Sequence, residues 1–506
     1  MAIPGPAVRF GSATGRWVIA ATVLGSGMAF LDGTVVNVAL PAIADDLDAG
    51  LSGLQWTLDA YLVTLASLLL LGGALGDQYG RRRVYLVGMV TFTAASLLCG
   101  LAPDIRLLIG ARALQGVGAA MLVPGSLAIL TSTFDPADRG RAIGAWSALA
   151  GATAAIGPFL GGWLIDAVSW RLIFVINLPI AAVAAFITMV HVPESRPEPS
   201  SGADPARPDP ARPDVAGAVL VSLGLAALAF ALIEGADELG STEVVAALVG
   251  VAALVAFVLV EGHRLNPMLP LGIFRSRQFT GANLTTFAVY AALGGALFLL
   301  VLELQLVLGY AALEAGASLL PVTMVMLLLS SRMGQLAQRV GPRWPMSVGP
   351  LIVAGGLLLM TRVGAGATYA TDVLPAVVVF GLGLAVTVAP LTAAVLAAVD
   401  DAHMGVASGV NNAVARVAGL LAVAVLPAAV GLDISGGADA ITSGFHRAAV
   451  VGAALCLAGG LVAYVTIRGG ATVQASPQAS LDQPCHDPCL APTGARTFEE
   501  PPGTAA

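Results

Sequence analysis

Residues Gly73 to Arg83 read GALGDQYGRRR, and residues Gly334 to Arg343 read GQLAQRVGPR. Four positions recur between them at one spacing. Gly73 and Gly334, Leu75 and Leu336, Gly80 and Gly341, and Arg82 and Arg343 are each 261 residues apart (334 less 73). Each stretch is short and basic, carries glycine, and is flanked by long apolar runs. A basic loop between apolar runs reads as a cytoplasmic turn joining two membrane spans, because arginine and lysine concentrate on the inner side. Its recurrence at a fixed distance implies a duplicated unit.

Working outward from these loops, apolar runs of span length fall near 17–40, 54–75, 84–102, 105–131, 141–165 and 172–192. Two more lie at 215–234 and 244–261. Six follow near 279–308, 315–337, 344–363, 372–398, 405–431 and 446–468. The first and ninth runs start about one repeat apart (279 less 17 is 262). The pattern predicts an all-α membrane protein of fourteen spans, two six-helix bundles (17–192 and 279–468) with two inserted helices within 215–261. Residues 1–16 precede the first span and 193–214 form a polar linker with seven prolines. A loop at 262–278 leads into the second bundle. The last segment, 469–506, is rich in Pro, Gly and Ser and reads as a disordered tail.

Composition agrees. Hydrophobic residues make up 57% of the 506 and charged residues 11%, against about 45–50% and about 25% in soluble domains. Mean hydropathy is +0.87. So little polar surface does not cover a soluble core of this size, which argues against a cytosolic enzyme or a nucleic-acid binder. Fourteen helices of about 22 residues would use roughly 308 residues. All 24 basic side chains are arginine. With the N-terminus inside, 17 of them fall on the inner side, four outside (Arg106, Arg171, Arg362, Arg447) and three within spans (Arg112, Arg332, Arg416). Such a bias favours an even number of spans with both termini cytoplasmic. The first run is too long for a signal-peptide core and reads as an anchor. Cys485 and Cys489 in the tail, beside one His, fall short of the four ligands a zinc site needs. The histidines are scattered, no Walker A sequence occurs, and no metal, cofactor or ATP is expected.

The motifs resemble those of the fourteen-helix drug–proton antiporters of the major facilitator superfamily, over about residues 15 to 468. Leu31 to Pro41, LDGTVVNVALP, resembles that branch's first-helix motif. Gly73 to Arg83 resembles the loop signature GxLxDRxGRRR, departing at Gln78. Leu108 to Gly118, LIGARALQGVG, resembles the fourth-helix motif with its buried arginine. Gly151 to Gly162, GATAAIGPFLGG, resembles the fifth-helix antiporter motif, and Trp170 to Pro179, WRLIFVINLP, the sixth-helix motif. Five such motifs in order on the expected helices are a specific signature. The resemblance implies that the loop around Asp77 latches the outward-open state and that the fifth-helix motif marks export by antiport.

An ionisable group inside a membrane helix is a functional candidate by default. Asp32, Asp59 and Arg112 lie on the first, second and fourth spans, at depths that let all three meet at one level. They read as a proton-exchange site or as an ion pair that fixes helix packing. Gly73, Asp77, Gly80, Arg81 and Arg82 read as a conformational loop, with Asp77 favoured near a neighbouring helix N-terminus, or as a topology signal alone. Gly151, Gly157, Pro158, Gly161 and Gly162 read as a close-contact face with a bend, or as packing. Glu303, Gln305, Asn412 and Arg416 are candidates for the wall of a substrate cavity; Glu303 reads equally as an interfacial charge.

The leading reading is a proton-driven exporter of hydrophobic drugs or of an endogenous antibiotic, a monomer in a bacterial membrane. A nutrient symporter and a non-transporting receptor are the rivals. Topology is directly testable: reporter fusions at positions 203 and 470 should both report the cytoplasm, and an outside signal at either overturns the alternation.

Overall fold

The computed structural model describes residues 8–195, 214–235, 240–264, 267–400 and 404–469. Most of the expected linker, the outer-loop acids Asp237 and Glu238, and the tail with Cys485 and Cys489 lie outside the described residues. Fourteen helices long and apolar enough to span a membrane are present, and no strand occurs among the described residues. They are α1 Ala13–Leu47, α2 Leu51–Tyr79, α3 Arg81–Gly100, α4 Ile105–Thr133, α5 Arg139–Ala167, α6 Leu172–His191 and α7 Val215–Glu234. The remainder are α8 Ser241–His263, α9 Arg277–Val307, α10 Ala312–Val340, α11 Arg343–Met360, α12 Tyr369–Leu396, α13 Met404–Ala429 and α14 Ala438–Thr466.

Several helices outrun their apolar cores. α1 continues past Pro41 through Asp45 and Asp46, ending where Asp48 turns left-handed at φ 49°. Hydrophobicity ends where the chain leaves the lipid, whereas backbone hydrogen bonding does not. α14 likewise starts at Ala438, eight residues before its expected start, and buries Ile441 and Phe445 within that extension. Other helices are interrupted. α6 breaks at Ile176 and α10 at Leu319; Pro179 and Pro321, just downstream, have no N–H to donate. α9 widens at Glu303–Val307, where Leu308 N bonds to Glu303 O at 3.1 Å, one residue beyond the α-helical partner.

The duplication is visible in the packing. In the first half α4 packs on α2 and α3, and α5 on α1; in the second α12 packs on α10 and α11, and α13 on α9. Gly88 and Gly349, again 261 residues apart (349 less 88), make the same contact. A Cβ at Gly88 would fall 2.6 Å from Met121 Cβ on α4, and one at Gly349 would collide with Thr387 Oγ1 on α12. Only a hydrogen lets these backbones approach, as is usual where lipid supplies no hydrophobic drive between helices. The inserted α7 pairs with α8 and bridges the halves, touching α2 on one side and α13 on the other. Ser222 Oγ donates to Ser67 Oγ at 2.9 Å, and Trp56 Nε1 to Glu234 Oε1 at 2.9 Å, fixing α7 along α2.

Gly88→Leu should destabilise by about 1–3 kcal/mol or more through overpacking and lose monodisperse protein in size exclusion. Gly110→Leu, where a Cβ meets nothing within 4 Å, should leave the elution profile unchanged.

Candidate functional site

Asp32 and Arg112 meet in the interior of the first half, as an ion pair between Arg112 Nη1 and Asp32 Oδ2. Both are buried. Arg112 also donates from Nε to Thr57 O at 3.0 Å and from Nη1 to Gln115 Oε1 at 2.6 Å. Gln115, one helical turn from Arg112, donates from Nε2 to Asp32 Oδ1 at 2.7 Å and to Ser96 Oγ at 2.7 Å. Asn177 Nδ2 donates to the same Ser96 Oγ at 3.0 Å. The Tyr61 ring lies 4.4 Å from Arg112 Cζ, with its hydroxyl donating to Ala29 O at 3.1 Å. Five helices thus hold one carboxylate: α1 carries it, α4 pairs it, and α2, α3 and α6 support the pairing groups. Gln115, Ser96 and Asn177 do not stand out in the sequence, although Gln115 and Asn177 lie inside two of the quoted motifs. Neutral amides and hydroxyls carry no signal of their own until the fold places them beside a charge.

Asp59 does not join this cluster. It stands two residues from both Thr57 and Tyr61, about 200° around a helix turning 3.6 residues per turn. It therefore points to the opposite side of α2. Its face is that of Gln55 and Val63, where Gln55 Nε2 donates to Val423 O of α13 at 2.6 Å and Val63 packs with Leu225 of α7 and Leu420 of α13. Both Asp59 carboxylate oxygens are buried without a hydrogen-bond partner in the structure. The azimuth separates Asp59 from Asp32 and Arg112.

The basic loop closes on itself. Asp77 accepts from Arg81 Nε at 3.0 Å and Nη2 at 2.9 Å, and among the described residues it makes no bond to a helix of the second half. Glu194, just after α6, takes the role expected of an acid at a helix N-terminus. Its carboxylate accepts from Arg82 N at 3.1 Å, and it lies 3.7 Å from Arg83 Nε. Arg82 Nη1 donates to Val192 O at 3.0 Å. Gly80 has φ +104°, and a Cβ there would meet Glu194 Oε1 at 2.7 Å. Glu194 is inconspicuous in the sequence because it opens a polar, proline-rich stretch. Gly73 has room around it, its nearest neighbour being Pro124 Cβ at 3.7 Å.

The fifth-helix glycines face two partners. Cβ atoms at Gly157 and Gly161 would collide with Thr34 Oγ1 and Val35 Cγ2 of α1. One at Gly162 would collide with Ala312 O of α10, and one at Gly316 of α10 with Pro158 O. Gly151 faces open space. Asp166, at the end of α5, accepts from Ala312 N at 3.2 Å and Leu313 N at 2.8 Å, capping α10 across the seam between halves. Gln305 Nε2 donates to Val38 O at 2.9 Å. With Gln55–Val423, these bonds all lie toward the face opposite the termini. The described hydrogen bonds between α1–α6 and α9–α14 occur there.

Glu303 is buried inside the second half: Thr442 Oγ1 of α14 donates to its Oε1 at 2.6 Å, and its Oε2 is buried without a hydrogen-bond partner. Asn412 is exposed and its amide donates to Ser408 O at 3.1 Å. Its neighbour Asn411 ties α13 to α9, donating to Thr286 Oγ1 at 2.7 Å. Arg416 is half-buried, with Cζ 5.8 Å from the Phe30 ring of α1. No group of three metal-ligating side chains occurs among the described residues.

A duplicated six-helix bundle with a charged pair inside one half and a polar seam between halves is the build of a secondary transporter. Residues 22–423 match the family model described as Major Facilitator Superfamily, and the chain belongs to that family. It is 36% identical to the "Multidrug resistance protein Stp" of Mycobacterium tuberculosis (strain CDC 1551 / Oshkosh), over 80% of this chain and 74% of that one. It is 35% identical to the "Methylenomycin A resistance protein" of Streptomyces coelicolor, over 81% and 84%. With the "Tetracenomycin C resistance and export protein" of Streptomyces glaucescens it shares 34%, over 80% and 74%. A crystal structure of a POT peptide transporter with sulfate superposes with a TM-score of 0.65 over 92% of this chain and 98% of that one, at 13% identity. That likeness speaks to the fold. The protein is a multi-pass transporter of the bacterial cell membrane and not an enzyme.

Gln115→Leu should leave Asp32 and Arg112 with fewer partners in a dry interior, costing about 1–3 kcal/mol. A clearly lower thermal unfolding midpoint is expected, whereas Asn412→Leu, at an exposed site, should leave the midpoint unchanged.

Proposed function

We propose that this chain exports hydrophobic small molecules, drugs or an endogenous antibiotic, in exchange for protons, by alternating access, with both termini cytoplasmic. The observation that carries the reading is the buried Asp32–Arg112 pair on α1 and α4. Asp32 would be the proton carrier and Arg112 the group that answers its charge. When Asp32 is ionised, Arg112 and Gln115 hold α1 against α4. When Asp32 takes up a proton, the ionic part of that hold is lost, while Thr57 O and Gln115 Oε1 keep Arg112 in place. α1 also carries Val38, whose carbonyl accepts from Gln305 of α9 across the seam, and Thr34 and Val35, which α5 grips within the first half. A change in how α1 sits in its own half is therefore felt where the halves meet.

Closure on the face opposite the termini supports the second element, rocking of two halves about the seam. Gly157, Pro158, Gly161, Gly162 and Asp166 would stabilise that closed face. Gly73, Asp77, Gly80, Arg81 and Arg82, with Glu194, would bias the opposite one. Asp59, held between α2, α7 and α13, meets water only when α2 and α13 part, so its charge would follow the state of the seam. One charge moved through 100 mV supplies about 2.3 kcal/mol, and each tenfold proton gradient about 1.4 kcal/mol. Together these support a concentration ratio of roughly a few hundredfold per proton, so the mechanism needs no ATP and no second subunit.

Asp32→Asn keeps the side-chain shape and removes titration. In proteoliposomes it should abolish pH-gradient-driven uphill export while preserving drug counterflow at zero gradient. Uphill export at the wild-type level would overturn the assignment. Asp59→Asn should give an intermediate loss.

A further inference from the structure

Arg112, inside the first half, is matched by Asp32, whereas Arg416, on α13, has no such partner among the described residues. Arg416 stands twelve residues after Met404 and thirteen before Ala429. At 1.5 Å per residue that is about 18–20 Å from either end of α13. An arginine side chain does not snorkel that far, so the guanidinium stays at depth. Among the described residues no carboxylate pairs with it and no hydrogen-bond acceptor holds it; its neighbour is the Phe30 ring at 5.8 Å. Of the acids of the region, Asp32 is taken by Arg112 and Gln115, Glu303 accepts from Thr442 inside the second half, and Asp59, though it faces α13 without a hydrogen-bond partner of its own, forms no ion pair with Arg416.

The space before Arg416 is built to receive something. α1 is mostly buried, yet Phe30, Gly33, Thr34 and Asn37 on one of its faces are only half-buried. A Cβ at Gly33 would meet nothing within 4 Å. The Phe30 ring of that face lies 5.8 Å from the Arg416 guanidinium carbon, so an aromatic side chain borders the charge. An uncompensated guanidinium away from water is costly. A ligand that brings the missing negative charge and a flat apolar body would remove that cost, through charge-assisted hydrogen bonds and stacking.

We propose that the substrate site between α1 and α13 selects hydrophobic aromatic anions, carboxylates or phenolates, with Arg416 as the anion-binding group. The proposal rests on the export reading only in taking this seam as the substrate site. The Tyr61 ring packs on Arg112 of the Asp32–Arg112 pair, while Arg416 lies over the Phe30 ring. Substrate charge and proton would therefore be read at separate places.

The test compares fluorescein with rhodamine 123, which share a xanthene core and carry opposite charge at mildly alkaline pH. Equilibrium binding to the purified full chain is measured without any gradient. Wild type should bind fluorescein more tightly than rhodamine 123. Arg416→Gln should weaken fluorescein binding about tenfold or more, the worth of a lost charge-assisted hydrogen bond, and leave rhodamine 123 nearly unchanged. Arg416→Lys should restore most of the difference, which guards against a loss through misfolding. Failure of the wild type to prefer fluorescein, or an equal loss of both dyes in Arg416→Gln, overturns the proposal. Charge-selective binding without proton-driven export would instead fault the coupling reading and leave this one standing.

Discussion

Two opposite charges held inside a membrane bundle are the constraint around which the first half is arranged. A bare carboxylate or guanidinium there is expensive, and pairing offsets the cost only when the remaining donors and acceptors are also met. Here they are met by Thr57 O, Gln115 and the Tyr61 ring, with Ser96 and Asn177 behind Gln115. Because those groups come from α2, α3, α4 and α6, the pair acts as a hub that ties α1 into its bundle. Lipid offers no apolar incentive for helices to associate, so directed bonds and close backbone contacts must do so. The glycine contacts between α3 and α4, and between α11 and α12, are the second half of that answer.

The seam between the halves is made differently. No ion pair among the described residues links α1–α6 to α9–α14. It is held by neutral amides donating to backbone carbonyls, by Asp166 on two backbone N–H groups of α10, and by backbone packing at Gly162 and Gly316. Each such bond is worth about 0.5–1.5 kcal/mol net, or about 1.5–3 when one partner is charged. The contrast fits the proposed mechanism: strong pairing lies within a half, and several modest bonds lie where the halves would part. Water replaces an amide–carbonyl bond at little net cost, so the seam can open without stranding a buried charge at those positions. α7, bonded along α2 through Ser222 and Trp56 and resting on α13, bridges the two halves beside that seam.

How much of this was legible in the sequence divides along one line. Span number, repeat and the Asp32–Arg112 pairing follow from hydrophobic length and residue depth, quantities that are one-dimensional along the chain. Azimuth is not, and Asp59 and Glu303 are the two residues that depth alone misplaces. Counting two residues from Thr57 and Tyr61 is enough to turn Asp59 toward α7 and α13, but only once Thr57 is known to face α4. Glu303 points at α14 because the helix widens at that residue, and a π-type turn has no simple sequence signature. Asp166 and Glu194 were hidden for another reason. They lie at helix ends, where acids are common, and only tertiary structure says which orphan N–H groups they meet. Conversely, the fifth-helix motif was readable as a close-contact face, while its double use against α1 and α10 required the fold.

The location of the charges constrains how a proton and a substrate communicate. Asp32 and Arg112 are sealed within one half, so rocking of rigid halves alone leaves their surroundings unchanged. Asp59 faces α13 and α7 from α2, and Arg416 faces Phe30 of α1 from α13, so the proposed rocking would change theirs directly. α1 is the element common to both. Asp32 points from it into α4, while Thr34 and Val38, two and six residues further on, bond to Ala154 O of α5 and Gln305 of α9. On a helix of 3.6 residues per turn, one face is held by the Asp32–Arg112 pair while Val38, on the other, is bonded across the seam. Any proton-dependent shift of α1 against α4 must therefore either strain the seam bonds or carry them along. The bonds available to resist are neutral and individually weak, whereas the pair that drives the shift is charged and buried. The stronger interaction sits on the Asp32 side, so in the proposed mechanism control would run from Asp32 through α1 to the seam.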